Sequence, residues 1–163
     1  MLRTLAASGV AAVALSLAGG ASAQSYLSDW GIADMRQAVV ASGATVTRED
    51  VSSDPYIAAK TANGLKFTVS GRVCDVATGA ATGPKRCKGA FLQTSFTLES
   101  DAAVDAGVKK WGPEYAAVSL TNAGDKGLLL SRYLIFDKGI HRENLVVNIE
   151  VFTGVAEKIW DEL

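Results

Sequence analysis

The sequence predicts an α+β domain, an antiparallel sheet packed by helices. Three observations predict it. Leu65–Val73 and Phe91–Leu98 read as two long strands joined by a polar loop, with the only two cysteines, Cys74 and Cys87, at its feet. Tyr115–Leu120 and Gly127–Phe136 read as a second hairpin. Three segments of helical periodicity, about Asp29–Ser42, Asp101–Trp111 and Arg142–Trp160, cover the hairpins.

The first 23 of the 163 residues read as an export signal. Arg3 supplies the positive start, Leu5–Ala18 is uncharged and mostly apolar, and Ala21-Ser22-Ala23 is a small-residue cleavage site, so Gln24 begins the mature chain. The apolar run is short for a membrane span, and none is expected after cleavage. The expected location is therefore periplasmic or secreted. Residues 24–163 suffice for a single domain with one core.

Of 16 cations the signal removes one, Arg3, leaving 15 against 17 carboxylates. That balance argues against nucleic-acid binding through phosphate neutralisation. In an oxidising compartment an even pair of cysteines reads as a disulfide, and the spacing rules out a C-x-x-C motif. Closing this loop stabilises the fold by about 3 kcal/mol.

Taken in order, Ser28 reads as an N-cap and Asp29 suits the first turn of the first helix. Ile32, Met35 and Val39 recur on one face, and Gly43 ends the helix in a left-handed conformation. Ala44–Arg48 is rich in β-branched residues and reads as a strand; Glu49–Pro55 breaks it, and Tyr56–Lys60 reads as a short one. Asn63-Gly64 signals a hairpin because both residues tolerate positive φ. Leu65, Phe67, Val69 and Val73 alternate with Lys66, Thr68, Ser70 and Arg72, giving one buried and one wet face. Asp75–Arg86 reads as a surface loop, with Lys85, Arg86 and Lys88 a solvated basic cluster. Leu92, Phe96 and Leu98 share a face with Phe91 on the other, covered by a neighbouring helix.

Ser100 or Asp101 caps the middle helix, whose stripe is Val104, Val108 and Trp111; Gly112-Pro113 stops it. The nearly continuous apolar run Gly127–Phe136 suggests a strand covered on both faces, with Arg132 reaching the rim or an acidic partner. Leu145, Ile149, Phe152, Ala156 and Ile159 form the stripe of the last helix.

No catalytic constellation emerges: there is no nucleophile elbow, no H-E-x-x-H and no phosphate-cradling loop. The one histidine, His141, sits at a helix start and reads as a cap. Asp101 and Asp105 share a helix face and read as solvated. No catalytic residue, metal ligand or cofactor is expected.

The chain resembles the YbjN-domain family, the bacterial sensory transduction regulators. The resemblance rests on Cys87-Lys88-Gly89-Ala90-Phe91-Leu92-Gln93 running into Phe96, on Val108-Lys109-Lys110-Trp111, on Gly127-Leu128-Leu129-Leu130, and on Gly139-Ile140 leading to Asn144-Leu145. Where family members often flank the middle-helix aromatic with asparagines, this chain has Lys109 and Gly112. The resemblance implies a type III secretion chaperone-like fold, helix–three strands–helix–two strands–helix. It also implies a non-enzymatic regulatory or chaperone-like role in envelope or stress signalling. A protein partner is expected, a homodimer by analogy, with Trp111 and Phe91 as the candidate binding face. The alternatives are a small-ligand-binding periplasmic protein and, ranked below it, a hydrolase-like enzyme using carboxylates and His141.

Overall fold

A computed structural model describes residues 26–76 and 83–163. The expected signal with its Ala23–Gln24 junction, and residues 77–82, lie outside the described residues. The elements are β1 (Tyr26–Leu27), α1 (Ile32–Ala41), β2 (Thr45–Asp50), β3 (Tyr56–Lys60), β4 (Lys66–Val76), β5 (Lys85–Thr97), α2 (Asp101–Glu114), β6 (Ser119–Asn122), β7 (Gly127–Ile135), β8 (Ile140–His141) and α3 (Arg142–Asp161). Six strands form one antiparallel sheet in the order β2-β3-β4-β5-β7-β6, and β1 with β8 makes a separate two-stranded ribbon. This is the α+β class expected. Four strands, not three, separate α1 from α2, because residues 45–60 close into a hairpin with Val46 opposite Ala59.

Alternation decides which sheet face is buried. Ile57, Ala59, Phe67, Val69, Leu92, Leu128 and Leu130 are buried. They share one core cluster with Met35 and Val39 of α1, Val104 and Trp111 of α2, and Leu145, Ile149, Phe152 and Ile159 of α3. The intervening residues, Ala58, Thr68, Ser70, Gln93 and Ser95, are half-buried or exposed. All three helices thus pack on one side, and the opposite side of the sheet is bare. Phe91 lies on the bare side rather than under a helix, because its neighbours Ala90 and Leu92 take the core positions.

The same alternation corrects the reading of β7 as covered on both faces. Tyr133 and Ile135 are 47% and 66% exposed, while Leu128, Leu130 and Leu134 fill the core. Arg132, on the core side opposite Leu92, reaches no carboxylate among the described residues. Its guanidinium donates to the Ala117 carbonyl and to the Asn148 side chain, and burial lowers its pKa.

The Cys74–Cys87 disulfide is present. It lies within the ladder rather than at the foot of a loop: Cys74 pairs with Cys87, and the strands continue to Val76 and Lys85. Val73, expected on the buried face, is 65% exposed; with φ of 54° it takes no register partner, and this kink breaks the alternation that would have revealed the longer strands. Gly71 is required here, because a Cβ at this position would lie 2.5 Å from Cys87 Sγ and 2.7 Å from Cys74 Sγ.

Helix α1 starts at Ile32, not Asp29, because the preceding residues serve β5. Trp30 exchanges backbone hydrogen bonds with Cys87 at 2.9 and 2.8 Å, and its indole donates to the Gly89 carbonyl. Gly31 is the N-cap, and its N–H donates to the Asp34 carboxylate. Asp34 also receives Arg86 at 3.1 Å and Arg142 at 2.9 Å, tying α1 to β5 and α3. Burial pushes its pKa up, but the Gly31 N–H, Arg142 and Arg86 outweigh this and hold it below the usual range. Arg86 also pairs with Asp29, and Lys85 with Asp54. These two residues of the expected solvated cluster are therefore strand residues in ion pairs.

Ser100 caps α2 by accepting the Ala103 N–H. Residues 115–118, expected to begin a strand, instead close the turn after α2: Tyr115 N–H donates to Trp111 and Val118 N–H to Tyr115. Gly43, with φ of 81°, ends α1 in the left-handed conformation expected of it. No helix among the described residues is long and apolar enough to cross a membrane.

Candidate functional site: the bare face of the sheet

The bare face carries an open trough of about 830 Å3 running across β2, β3, β4, β5 and β7. Arg48, Lys60 and Lys66 line it with the polar groups of Tyr56, Thr68 and Gln93, and among the described residues no carboxylate does. The hairpin β3–β4 sets this arrangement. Its turn at Asn63-Gly64, with Gly64 at φ 94°, places Lys60 directly opposite Lys66. Thr94 Oγ1 donates to the Lys66 carbonyl at 2.7 Å and fixes that end of the strand. The bulge between Val46 and Arg48 turns Arg48 to the same side, opposite Ala58. Arg48 has one acidic neighbour, Asp50, at 3.4 Å, in an exposed pair that contributes little.

An aromatic patch adjoins the trough. Phe91 pairs with Tyr133 in register, their ring centroids 6.3 Å apart, and Arg72 stacks over Phe91 at 5.2 Å. Tyr133 lies across Gly89, where a Cβ would meet its hydroxyl at 2.4 Å. Ile135, opposite Gly89, adds exposed apolar surface. The β7 backbone is also open here. Phe136 N–H donates to Lys88 and Leu98 N–H to Lys126, so alternate β7 residues face β5 and the others, including Tyr133 and Ile135, face outward. Strand β6 pairs only as far as Ser131. The outward N–H and C=O groups of Tyr133 and Ile135 thus have no strand beside them among the described residues.

The two expected binding-face residues separate. Phe91 belongs to the bare face. Trp111 is only 4% exposed and packs in the core on Gly107, whose added Cβ would lie 2.7 Å from the indole ring. Its Nε1–H donates to Glu162 at 2.9 Å, closing α2 onto the end of α3. Trp111 is therefore a packing residue, and a Trp at the i+7 end of an apolar stripe is a core signal.

His141 caps α3 by accepting the Glu143 N–H, and its ring meets Tyr26 edge-on at 5.1 Å. The Glu143 carboxylate, 3.8 Å away, is 88% exposed. Asp101 accepts the Lys126 N–H and Asp105 the Asn122 side chain, so both fasten α2 to the β6–β7 turn. Among the described residues no His, Cys, Asp and Glu gather as a metal cluster. The recess between α1 and α3, about 200 Å3, is lined by Asp34, Ala38, Arg142 and Leu145.

Sequence reasoning missed Arg48, Lys60 and Lys66 because they are scattered along the chain. The signal that could have found two of them is the Asn63-Gly64 turn, which Lys60 and Lys66 flank symmetrically.

No protein-family model and no curated protein matches the chain. A solved structure, an uncharacterized protein from Methanothermobacter thermautotrophicus, is similar to it with a TM-score of 0.53. The match has 8% identity and covers 82% of this chain and 94% of that one, a likeness of fold alone.

Proposed function

We propose that the protein is an exported, non-enzymatic binding module that holds a protein partner on the bare face of its sheet. The observation that carries this reading is the asymmetry of the sheet: one face is fully packed by three helices, and the other presents a broad open trough beside exposed aromatic and aliphatic side chains. An exposed sheet face with a free strand edge suits an extended polypeptide, which can add backbone hydrogen bonds and side-chain contacts. The resemblance to the YbjN-domain family supports a regulatory or chaperone-like role. The export signal and the disulfide support a periplasmic or secreted location.

The test is capture of partners from the producing cell's envelope fraction by three forms of the mature chain. They are the unaltered chain, Ser95→Trp on the bare face, and Glu150→Trp on the outer side of α3. The expected result is a stoichiometric protein bound by the unaltered chain and by Glu150→Trp but lost with Ser95→Trp. Equal capture by all three overturns the assignment of the face.

A further inference from the structure

We infer that the trough takes an acidic, extended segment of the partner, an inference that rests on the binding-module reading and adds the chemistry of the occupant. Charge complementarity carries it. Residues 24–163 hold more carboxylates than cations, yet the trough is lined by Arg48, Lys60 and Lys66 and, among the described residues, by no carboxylate. Lys60 and Lys66 oppose each other in register, and like charges so placed cost a sheet stability. Of the three trough cations, only Arg48 has an ion pair among the described residues, the exposed contact with Asp50 at 3.4 Å. Neither Lys60 nor Lys66 has an ion pair among the described residues. A counter-charge from outside relieves that opposition.

The spacing suits an extended chain. Arg48, Lys60 and Lys66 stand on three adjacent strands, and adjacent strands lie about 4.8 Å apart. Alternate side chains of an extended peptide share a face about 6.7 Å apart, close enough for flexible lysines to meet each carboxylate. Thr68, Gln93 and Ser95 on the floor match peptide N–H and C=O groups. A single-stranded nucleic acid also carries spaced negative charge, but it binds by stacking bases on aromatic rings. Among the trough's lining side chains the only ring on the bare face is Tyr56, and Phe91 next to it is already stacked with Arg72.

The experiment is fluorescence anisotropy on the mature chain at about 50 mM salt, where exposed charges are weakly screened. The probe is a labelled peptide of about eight alternating Glu and Thr residues, long enough to cross the sheet. An alternating Lys–Thr peptide and an oligothymidylate of the same length are the comparisons. The charge-reversed chain K60E/K66E should bind the acidic peptide at least tenfold more weakly. K109E/K158E, reversed on the helix side, should bind it unchanged. Equal losses in the two variants, no binding of the acidic peptide, or tighter binding of oligothymidylate would each overturn the inference. Envelope capture separates this from failure of the underlying reading. If K60E/K66E still retains the partner, the acidic assignment falls and the binding module stands. If the unaltered chain retains nothing, both fall.

Discussion

Replacing Trp111 by alanine should destabilise the fold severely. The indole is buried against Gly107 and closes the junction of α2 with the end of α3. Truncating a buried Trp costs about 3–5 kcal/mol in lost transfer energy and cavity. The hydrogen bond to Glu162 adds about 1 kcal/mol to the loss. For a domain of this size each kcal/mol moves the melting temperature by roughly 3–4 °C, so a drop of about 12–24 °C is expected. Circular-dichroism melts of oxidised residues 24–163 read it directly. Trp111→Phe keeps most of the buried ring and should recover more than half of the loss. A shift below about 3 °C for Trp111→Ala would refute the packing argument and return Trp111 to the surface.

Asp34→Asn should cost about 2 kcal/mol near neutral pH, since it weakens the carboxylate's bonds to Arg86 and Arg142. Because the folded pKa of Asp34 is depressed, its contribution is full above the ordinary carboxylate value near 3.9 and fades as pH falls through the folded value. The stability gap between the two proteins, followed by denaturant melts, should therefore close in acid; a gap constant from neutral to about pH 2 contradicts the assignment. Cys74→Ser with Cys87→Ser should lower stability by about 3 kcal/mol, and an unchanged melting temperature would show that the crosslink constrains nothing. Gly71→Ala should cost about 1–3 kcal/mol through its approach to both sulfurs. That penalty should shrink when the disulfide is reduced, and an equal penalty in both redox states would place the clash on the Pro55 carbonyl instead.

Much of the fold is legible in the residues. Leu65, Phe67 and Val69 announce a half-buried strand, Ser100 the start of α2, and the Leu145–Ile159 stripe the face of α3. Illegible stretches have physical causes. At Val73 a left-handed residue shifts the side-chain phase, so Cys74–Val76 and Lys85–Cys87 read as loop although they pair. At Asp29–Gly31 helical signals are overridden by pairing of Trp30 with Cys87, a contact between residues far apart in sequence. In β7, apolar residues continue onto an exposed face, which imitates a strand covered on both sides. The candidate site is harder still. Phe91 was visible as an aromatic off the core face, but the trough exists only once β2, β3, β4 and β5 are placed in register.

Site-specific photo-crosslinking tests the central claim, that binding takes place on the bare face. A benzophenone side chain at Gln93, on the trough, is compared with one at Glu150, on the outer side of α3, in the intact envelope. Crosslinking of a defined protein from Gln93 and not from Glu150 is the predicted result. Crosslinking from Glu150 alone, or from neither position, would contradict it.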